Sequence, residues 1–566
     1  MTEKTLPPNV VSAAKTRHLL TSTQGLAAVY LGLTPMSASD LQDKADALAT
    51  LEGLEIVRTI VGSEPLQLQG VDSDQQSAQP TYVVQAEPHV MASLPPTVVA
   101  EPLTYLMSHA EIASASQTSD DTTSGFTLQV VDENGDPVAG VQVALSTDFE
   151  KRTAMTDERG MVQIGIYSNQ NFPIKTLRVM PKAWYWDFYA ERPELDKRRT
   201  NVVKIRSFKT AMKTVVGGWG QELMGLLHPR SATKFRGEGI KVAVIDSGID
   251  GGHDSLAHVV HGKNFNPKQS PDAWNTDEVG HGTHTAGLIG ARPTEKYPFT
   301  GIAPGVELHV FKIFPYGGSD ALLEALDECL RRGVDVVNLS LGQRQLSPIL
   351  QQRIERLTLN GICCVASAGN DGSAVMFPAN SPSSLAISAI GLKEAVVANT
   401  YDATQILPGS ATDNGLFFAR FSSHGPEIDL GAPGVGIIST VPGNAFGAQS
   451  GTSMSAPHVT GLIALLLAEL PVFQEAGPFK RGTFDRVLAV ADIMMQISGG
   501  TMVMTPSRAG AGIPTLEGVA LPDRRLRNNV IEQLRNDLGA KMMIYSNRSI
   551  SQTSMAYAAA ADAARR

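Results

Sequence analysis

Hydrophobic and polar residues follow three different patterns along the chain. In residues 23–107, short apolar runs alternate with helical patterns in the order strand, helix, strand, strand, helix, strand. This order is the split βαβ unit, so the stretch predicts a ferredoxin-like α+β module. Residues 1–22 before it are predicted to be a polar leader. The predicted strands are residues 26–33, 54–61, 82–86 and 98–100, and the helices lie near residues 41–51 and 87–94.

Residues 126–207 predict a small all-β sandwich. Apolar and polar residues alternate over short segments, the dipeptide Asn134-Gly135 signals a tight turn, and the segments show no helical period. Residues 108–125 in front of them are rich in Ser, Thr and Asp, which is the composition of a flexible linker. Trp184 and Trp186 are expected in the sandwich core or at a sheet edge, with an exposed binding surface as the alternative.

Residues 210–521 predict a larger α/β domain. The runs at residues 242–245, 308–313, 334–339 and 362–366 are apolar almost throughout, and helical patterns separate them. Strands of this kind belong to a parallel sheet covered by helices on both faces. Residues 522–566 form a C-terminal tail with a helical stretch near residues 525–538 and no assigned role.

Composition excludes several classes of protein. Of the 566 residues, 42% are hydrophobic and 18% are charged, so the chain can bury more than one core. The net charge of −9 argues against nucleic-acid binding, which usually requires an excess of basic residues. The most apolar stretch, residues 461–470, is too short to span a membrane. Three cysteines cannot form a disulfide framework. Cys363 and Cys364 are expected to be buried thiols in a strand, with a thiol nucleophile as the weaker alternative.

The N-terminal residues contain no ordinary signal peptide, because no apolar stretch follows a basic start directly. A cytoplasmic location or unconventional export is therefore expected. One alternative stays open, since Lys15 and Arg17 precede the apolar residues 26–33 and could imitate such a signal.

Three polar residues lie at positions typical of functional residues in an α/β domain, at the end of a predicted strand or the start of a predicted helix. Asp246 ends an apolar run, His281 opens a helix in the sequence His-Gly-Thr-His, and Ser453 opens another in Gly-Thr-Ser-Met-Ser-Ala-Pro. Each has a structural or metal-binding alternative when it is taken alone. Asp246 could cap a turn, His281 and His284 could hold a metal, and Ser453 could cap its helix.

Taken together and in the order Asp, His, Ser, these segments resemble the subtilisin-like serine proteases, or subtilases. Further segments between and after them also resemble the family: Ser340-Leu341-Gly342, Ala366-Ser367-Ala368-Gly369-Asn370, Gly431-Ala432-Pro433-Gly434 and Gly510-Ala511-Gly512. The resemblance covers about 300 residues. It implies a parallel-sheet α/β catalytic domain and a serine endopeptidase acting on proteins or peptides.

The resemblance also implies roles for single residues. Ser453 is expected to be the nucleophile, His281 its base and Asp246 the residue that orients the base, while Asn370 donates to the oxyanion. The expected substrate-binding residues are Ser340, Leu341, Gly342, Gly317 and Gly318 along the peptide backbone, and Ser367, Ala368, Gly369 and Met376 around the first specificity pocket. Met376 stands where relatives often have a small residue, which predicts a shortened pocket. No cofactor or metal is expected for catalysis, and a structural calcium site at residues 291–296 lacks the family's Asn-rich loop.

The first module resembles the inhibitory propeptides of subtilases. Residues 103–108 would then lie in the active-site cleft, with self-cleavage between residues 105 and 115, and the enzyme would be made as a zymogen. The sandwich resembles carboxypeptidase regulatory-like modules, which suggests folding support or substrate docking. The alternative is a catalytically silent binding or scaffold protein with the protease fold. Against it, Asp246, His281, Asn370 and Ser453 are all present.

Overall fold

The structure, a computed structural model, describes ten segments of the chain: residues 16–22, 54–60, 81–86, 98–104, 106–108, 125–168, 172–227, 236–474, 479–498 and 504–516. The strands of the first two modules are β1 (Thr16–Ser22), β2 (Leu54–Ile60), β3 (Thr81–Ala86), β4 (Val98–Pro102), β5 (Met107–Ser108), β6 (Gly125–Val131), β7 (Gln142–Ser146), β8 (Lys151–Met155), β9 (Met161–Gly165), β10 (Thr176–Met180), β11 (Phe188–Glu191) and β12 (Asn201–Lys204).

The first module contains a four-stranded sheet in the order β2-β3-β1-β4, and all neighbours are antiparallel. This order and these directions are those of a ferredoxin-like sheet. Strands β2, β3 and β4 lie within two residues of the predicted ones. The predicted leader is wrong for its last seven residues, because Thr16–Ser22 form a central strand. The strand predicted at residues 26–33 and both predicted helices lie outside the described residues.

The second module is a sandwich of two sheets, ordered β11-β10-β7-β8 and β12-β6-β9. The alternation in the sequence has its expected effect, because Phe126, Leu128 and Val130 of β6 all point into a core shared by both sheets. The turn after β6 is fixed by Asp132, whose Oδ1 accepts from the backbone N–H of Asn134 at 2.8 Å. Gly135 then adopts a φ of 94°, which favours glycine.

The third module is the predicted α/β domain. Its strands are β13 (Lys241–Asp246), β14 (His261–Asn264), β15 (Glu307–Lys312), β16 (Val336–Leu339), β17 (Leu341–Gly342), β18 (Cys363–Ser367), β19 (Leu385–Leu392), β20 (Leu416–Phe418), β21 (Leu430–Pro433), β22 (Ile437–Val441) and β23 (Ala445–Gln449). Its helices are α1 (Trp219–Leu223), α2 (His281–Gly290), α3 (Ser319–Arg332), α4 (Pro348–Leu359), α5 (Thr452–Glu469), α6 (Phe484–Ser498) and α7 (Pro506–Ala509).

The main sheet has the order β14-β15-β13-β16-β18-β19-β20, with β21 also paired to β19. Only the pairing of β19 with β20 is antiparallel among these described strands, so the predicted parallel α/β fold is confirmed. One hydrophobic core joins the sheet to α2 and α5, and a second joins it to α3 and α4. Because the strands are parallel, the residues that follow them meet at one edge.

Sequence patterns set the limits of the helices around this sheet. Helix α4 begins with Pro348 in its first turn, and the hydroxyl of Ser347 accepts from the backbone N–H of Leu350 at 3.1 Å. Helix α3 ends at Gly333, which has a φ of 60°. None of the helices in the described segments is both long enough and apolar enough to cross a membrane.

The predicted locations of the two cysteines agree with the structure, whereas the surroundings of the two tryptophans differ from the prediction. Cys363 and Cys364 are buried thiols in β18, as expected. Trp184 and Trp186, however, lie against the α/β domain, where the Trp184 ring packs at a tilt against both Tyr297 and Phe446. Their neighbours belong to another module, which the local sequence pattern does not identify.

Candidate active site

Asp246 and His281 form a buried pair at the carboxyl edge of the sheet. Asp246 is the last residue of β13, His281 is the first of α2, and both side chains are completely buried. His281 Nδ1 lies 2.7 Å from Asp246 Oδ1 and 2.9 Å from Oδ2. Since a carboxylate accepts hydrogen bonds, Nδ1 carries the proton and Nε2 is left as a base. In the described part of the chain, Nε2 is buried and has no hydrogen-bond partner.

Helix α2 is held at its first turn by Asp277, which the sequence analysis missed. The Asp277 carboxylate accepts from the backbone N–H groups of Gly280 and Thr283, both at 2.8 Å, and from the Thr283 hydroxyl at 2.6 Å. Burial raises the pKa of Asp277, while these hydrogen bonds oppose the shift. The signal for this residue was an acidic side chain four positions before His281. Asp277 therefore fixes the start of the helix that carries His281.

The second histidine of the motif does not share a site with the first. His284 Nε2 lies 2.9 Å from the carbonyl oxygen of Ile437, and burial lowers the pKa of His284 to about 3. The two imidazoles thus have different partners, which removes the argument for a metal held by His281 and His284. Within the described segments, His, Cys, Asp and Glu side chains form no cluster suited to a metal ion, and this holds for residues 291–296 as well.

Ser453 is the second residue of α5, and it is fully buried. Its Oγ donates to the carbonyl oxygen of Ser340 at 3.2 Å, while the Ser340 hydroxyl donates to the carbonyl oxygen of Ser453 at 2.8 Å. Met454, the next residue, packs in one cluster with Leu288 of α2. This contact joins the first turn of α5 to the helix that carries His281.

Asn370 follows β18 and faces the same turn of α5. Its Oδ1 accepts from the backbone N–H of Thr452 at 3.0 Å and from the Thr452 hydroxyl at 2.9 Å. The same hydroxyl accepts from the backbone N–H of Gly369 at 3.1 Å. These bonds fix the plane of the Asn370 carboxamide directly beside Ser453.

The residues predicted to form the first specificity pocket lie together after β18. Ser367 ends that strand, and the Met376 backbone N–H donates to the carbonyl oxygen of Ala368 at 2.9 Å. Met376 is only 4% exposed, and a Cβ added to Gly369 would lie 2.9 Å from its Cγ. The Met376 side chain therefore fills the space against Gly369.

A segment of the first module lies along the predicted substrate cleft. Strand β5 (Met107–Ser108) pairs antiparallel with β17 (Leu341–Gly342). Three residues upstream of β5, the carbonyl oxygen of Thr104 accepts from the backbone N–H of Ser319 at 2.9 Å. The Thr104 hydroxyl donates to Gln343 Oε1 at 2.7 Å. The segment thus occupies the groove between β17 and the start of α3.

The two predicted cleft glycines differ in their neighbours. A Cβ on Gly318 would lie 2.8 Å from the carbonyl oxygen of Thr104, so this glycine allows the segment to approach closely. A Cβ on Gly317 would instead meet the carbonyl oxygen of Ile313, which belongs to the same turn. Gly317 therefore shapes the loop, while Gly318 faces the segment.

Charged groups of the first module reach the starts of α3 and α4. Arg58 forms ion pairs with Asp320 and, at 2.8 Å, with Glu324. Glu101 Oε1 accepts from the hydroxyl of Ser347 at 2.5 Å, and its Oε2 is buried without a hydrogen-bond partner among the described residues. Burial is the main cause that raises the pKa of Glu101 to about 7.

Sequence comparison identifies known proteins that resemble the α/β domain. The sequence model of the Subtilase family matches residues 237–498. Subtilisin DY from Bacillus licheniformis is 35% identical over 248 residues, which cover 42% of this chain and 81% of that protein. Subtilisin from Bacillus pumilus is 36% identical over 250 residues, covering 43% and 82%, respectively. Alkaline elastase YaB from Bacillus sp. (strain YaB) is 33% identical over 266 residues, covering 46% and 62%.

Proposed function

The chain belongs to the subtilase family of serine endopeptidases, and on that premise we propose that Asp246, His281 and Ser453 hydrolyse peptide bonds in protein or peptide substrates. The observation that carries the proposal is the buried bond between His281 Nδ1 and the Asp246 carboxylate at 2.7 Å. It leaves Nε2 as the only ring nitrogen that can take a proton from a nucleophile.

In the proposed reaction, Ser453 Oγ attacks the carbonyl carbon of the substrate while His281 Nε2 takes the hydroxyl proton. Asp246 stabilises the imidazolium that forms. Nε2 then gives the proton to the leaving amine, the C–N bond breaks, and an acyl-enzyme remains. Water attacks this ester as Nε2 accepts one of its protons, which is then returned to Ser453 Oγ. A triad of this kind needs no cofactor.

Asn370 has the proposed role of stabilising the oxyanion. Its Oδ1 is held by two donors of Thr452, so the opposite side of the carboxamide carries the N–H groups toward the reacting carbonyl. The backbone N–H of Ser453 belongs to the first turn of α5, where N–H groups lack partners within the helix. Together they would supply two donors to the developing negative charge.

The N-terminal module has the proposed role of an intramolecular inhibitor, so that the chain is made as a zymogen. The pairing of β5 with β17 is the added-strand geometry by which an extended peptide binds a sheet edge. Leu106, just before β5, is 7% exposed and belongs to the same hydrophobic core as α3 and α4. Activation would then require cleavage between residues 105 and 115 and release of the segment.

The catalytic proposal is tested with a fluorophosphonate probe, which labels an activated serine covalently. Wild type is expected to be labelled and to cleave a casein substrate, whereas Ser453→Ala should do neither. If correctly folded wild type is inert in both assays, the chain is instead a silent binding or scaffold protein with the protease fold.

The zymogen proposal has its own test. The N-terminus of mature wild type is expected to fall between residues 105 and 115, while Ser453→Ala keeps the complete chain. An intact mass that shows the N-terminal segment retained equally in both proteins would contradict self-cleavage.

A further inference from the structure

We propose that the β-sandwich is part of the catalytic apparatus, because it positions the loop that carries Ser453. The proposal rests on the role of Ser453 as the nucleophile. It assigns the sandwich a direct influence on turnover, in place of a passive role in folding or a role in holding substrate. The proposal is based on two separate sets of contacts between the sandwich and the α/β domain, which we call the first and second attachments. Both lead to Ser450, three residues before Ser453.

The first attachment fixes the hairpin formed by β22 and β23. The backbone N–H of Trp184 donates to the carbonyl oxygen of Phe446 at 2.8 Å, and the two rings lie 5.8 Å apart. Trp184 has a φ of 68°, a left-handed conformation that is unfavourable for a bulky residue and must be stabilised by its surroundings. A Cβ on Gly447 would lie 2.9 Å from the carbonyl oxygen of Lys182, so the sandwich touches the β23 backbone itself.

This hairpin contacts the helix of the base as well. The Ser439 hydroxyl donates to the carbonyl oxygen of His284 at 2.9 Å, and the Thr440 hydroxyl donates to that of Thr283 at 2.8 Å. Both acceptors lie in the first turns of α2, next to His281. The sandwich therefore fixes an element that contacts α2 and leads directly into the Ser453 loop.

The second attachment runs through Tyr401 and Asp402. Asp187 of the sandwich accepts from the backbone N–H of Tyr401 at 3.2 Å, and the Arg178 guanidinium lies 4.0 Å from the centre of the Tyr401 ring. The next residue, Asp402, is buried and accepts from the Ser450 hydroxyl at 2.6 Å. Two hydrogen bonds, linked by the peptide bond between Tyr401 and Asp402, thus join the sandwich to Ser450, the residue before Gly451.

Ser450 is where the two attachments meet. Its hydroxyl donates to Asp402 and accepts from the backbone N–H of Gly436 at 2.8 Å, while its backbone continues from β23. Only Gly451 and Thr452 separate it from Ser453. A displacement of about 1 Å at a reacting group can reduce the rate about 100-fold. Loss of the Ser450 hydroxyl contacts should therefore reduce turnover even when the enzyme remains folded.

The test compares four variants of the mature enzyme at a temperature well below the Tm of each. Ser450→Ala removes the hydroxyl that contacts Asp402 and Gly436, and we expect kcat to fall about 10-fold with KM changed less than about 2-fold. Ser450→Thr keeps a hydroxyl and should recover most of kcat. Asp187→Ala removes the hydrogen bond from the sandwich to Tyr401, which weakens the second attachment, and should also lower kcat. Asp148→Ala, which removes an exposed ion pair with Lys175 elsewhere on the sandwich, should behave like wild type.

A double variant distinguishes positioning from general destabilisation. If Asp187 acts through Ser450, then adding Asp187→Ala to Ser450→Ala should lower kcat little further, because the path is already interrupted. Wild-type kcat in both single variants, or losses that simply multiply in the double variant, would overturn the proposal. An inactive wild type would instead reject the catalytic role of Ser453, so the two failures are distinguishable.

Discussion

The Ser453 hydroxyl donates to the carbonyl oxygen of Ser340 at 3.2 Å, while the base nitrogen of His281 remains buried without a hydrogen-bond partner in the described part of the chain. In the same structure, Met107 and Ser108 pair with the two residues after Ser340. The proposed nucleophile and its base are thus close in the fold but not yet joined.

Asp246→Asn tests the orientation of the base. An Asn side chain fits the same space, but its N–H₂ can face Nδ1 and favour the tautomer whose proton is on Nε2. We expect kcat to fall on the order of 10⁴-fold with little change in KM, measured on a chromogenic peptide. Asp272→Asn is the matched control, because Asp272 is exposed and its side chain makes no capping hydrogen bond to the 3₁₀ turn Ala273–Asn275 that follows it. A loss of less than about 10-fold in Asp246→Asn would argue against the triad.

Asn370→Ala tests the oxyanion donor. We expect kcat to fall about 100- to 1,000-fold while KM stays nearly constant, because the lost hydrogen bond forms only as charge develops on the substrate oxygen. Thr452→Val is the informative companion, since it removes the hydroxyl that donates to Asn370 Oδ1 and leaves the carboxamide in place. Its loss should be smaller. Equal kcat in wild type and Asn370→Ala would refute the assignment.

The local motifs predicted Asp246 and His281 as candidate residues, and the structure joins these two side chains by a hydrogen bond. Each motif contains its own turn or helix start, which is why a short stretch of sequence suffices to single it out. The parallel α/β fold followed from strands that are apolar throughout. These features depend on residues close in sequence, and a single chain displays them.

Structural features that depend on contacts between residues far apart in sequence could not be predicted from local patterns. Strand β1, Thr16–Ser22, has two leucines among polar residues, and its central position depends on pairing with β3 and β4 on either side. Trp184 and Trp186 pack against the α/β domain, and the sandwich sequence contains no sign of that surface. Asp277 had a local signal, but its role becomes clear only when its carboxylate is seen at the first turn of α2.

Glu101 predicts that docking of the N-terminal module depends on pH. Its pKa is about 7 when docked, against an ordinary value of 4.5 once the module is released. The docked state therefore binds a proton more tightly, so docking is strongest below about pH 4.5 and weakens as pH rises toward 7. The total change should be on the order of 100-fold in affinity. Glu101→Gln, which is neutral at every pH, should dock with little pH dependence.

The measurement uses Ser453→Ala chains cut once by an added protease between the N-terminal module and the sandwich. Size-exclusion chromatography then reports the fraction of N-terminal fragment that stays bound at several pH values. Arg58→Gln is a useful control, because it weakens docking by removing ion pairs with Asp320 and Glu324 but leaves Glu101 in place. It should bind more weakly at every pH and keep the same pH trend. Identical trends in Glu101→Gln and the parent chain would assign the pH dependence to another group.

Met376 predicts the preference for the residue before the cleaved bond. Its side chain packs against Gly369 in the region proposed as the first specificity pocket, so small or modest side chains should be preferred there. In Met376→Gly the pocket should be longer. The ratio of kcat/KM for peptides with Phe or Tyr at this position to kcat/KM for peptides with Ala should then rise at least about 10-fold, because burying a large apolar side chain contributes about 1.5–3 kcal/mol. Leu346→Gly, an exposed position outside the pocket, controls for loss of a large apolar residue. Efficient cleavage after Phe or Tyr by wild type, unchanged in Met376→Gly, would show that Met376 does not limit the pocket.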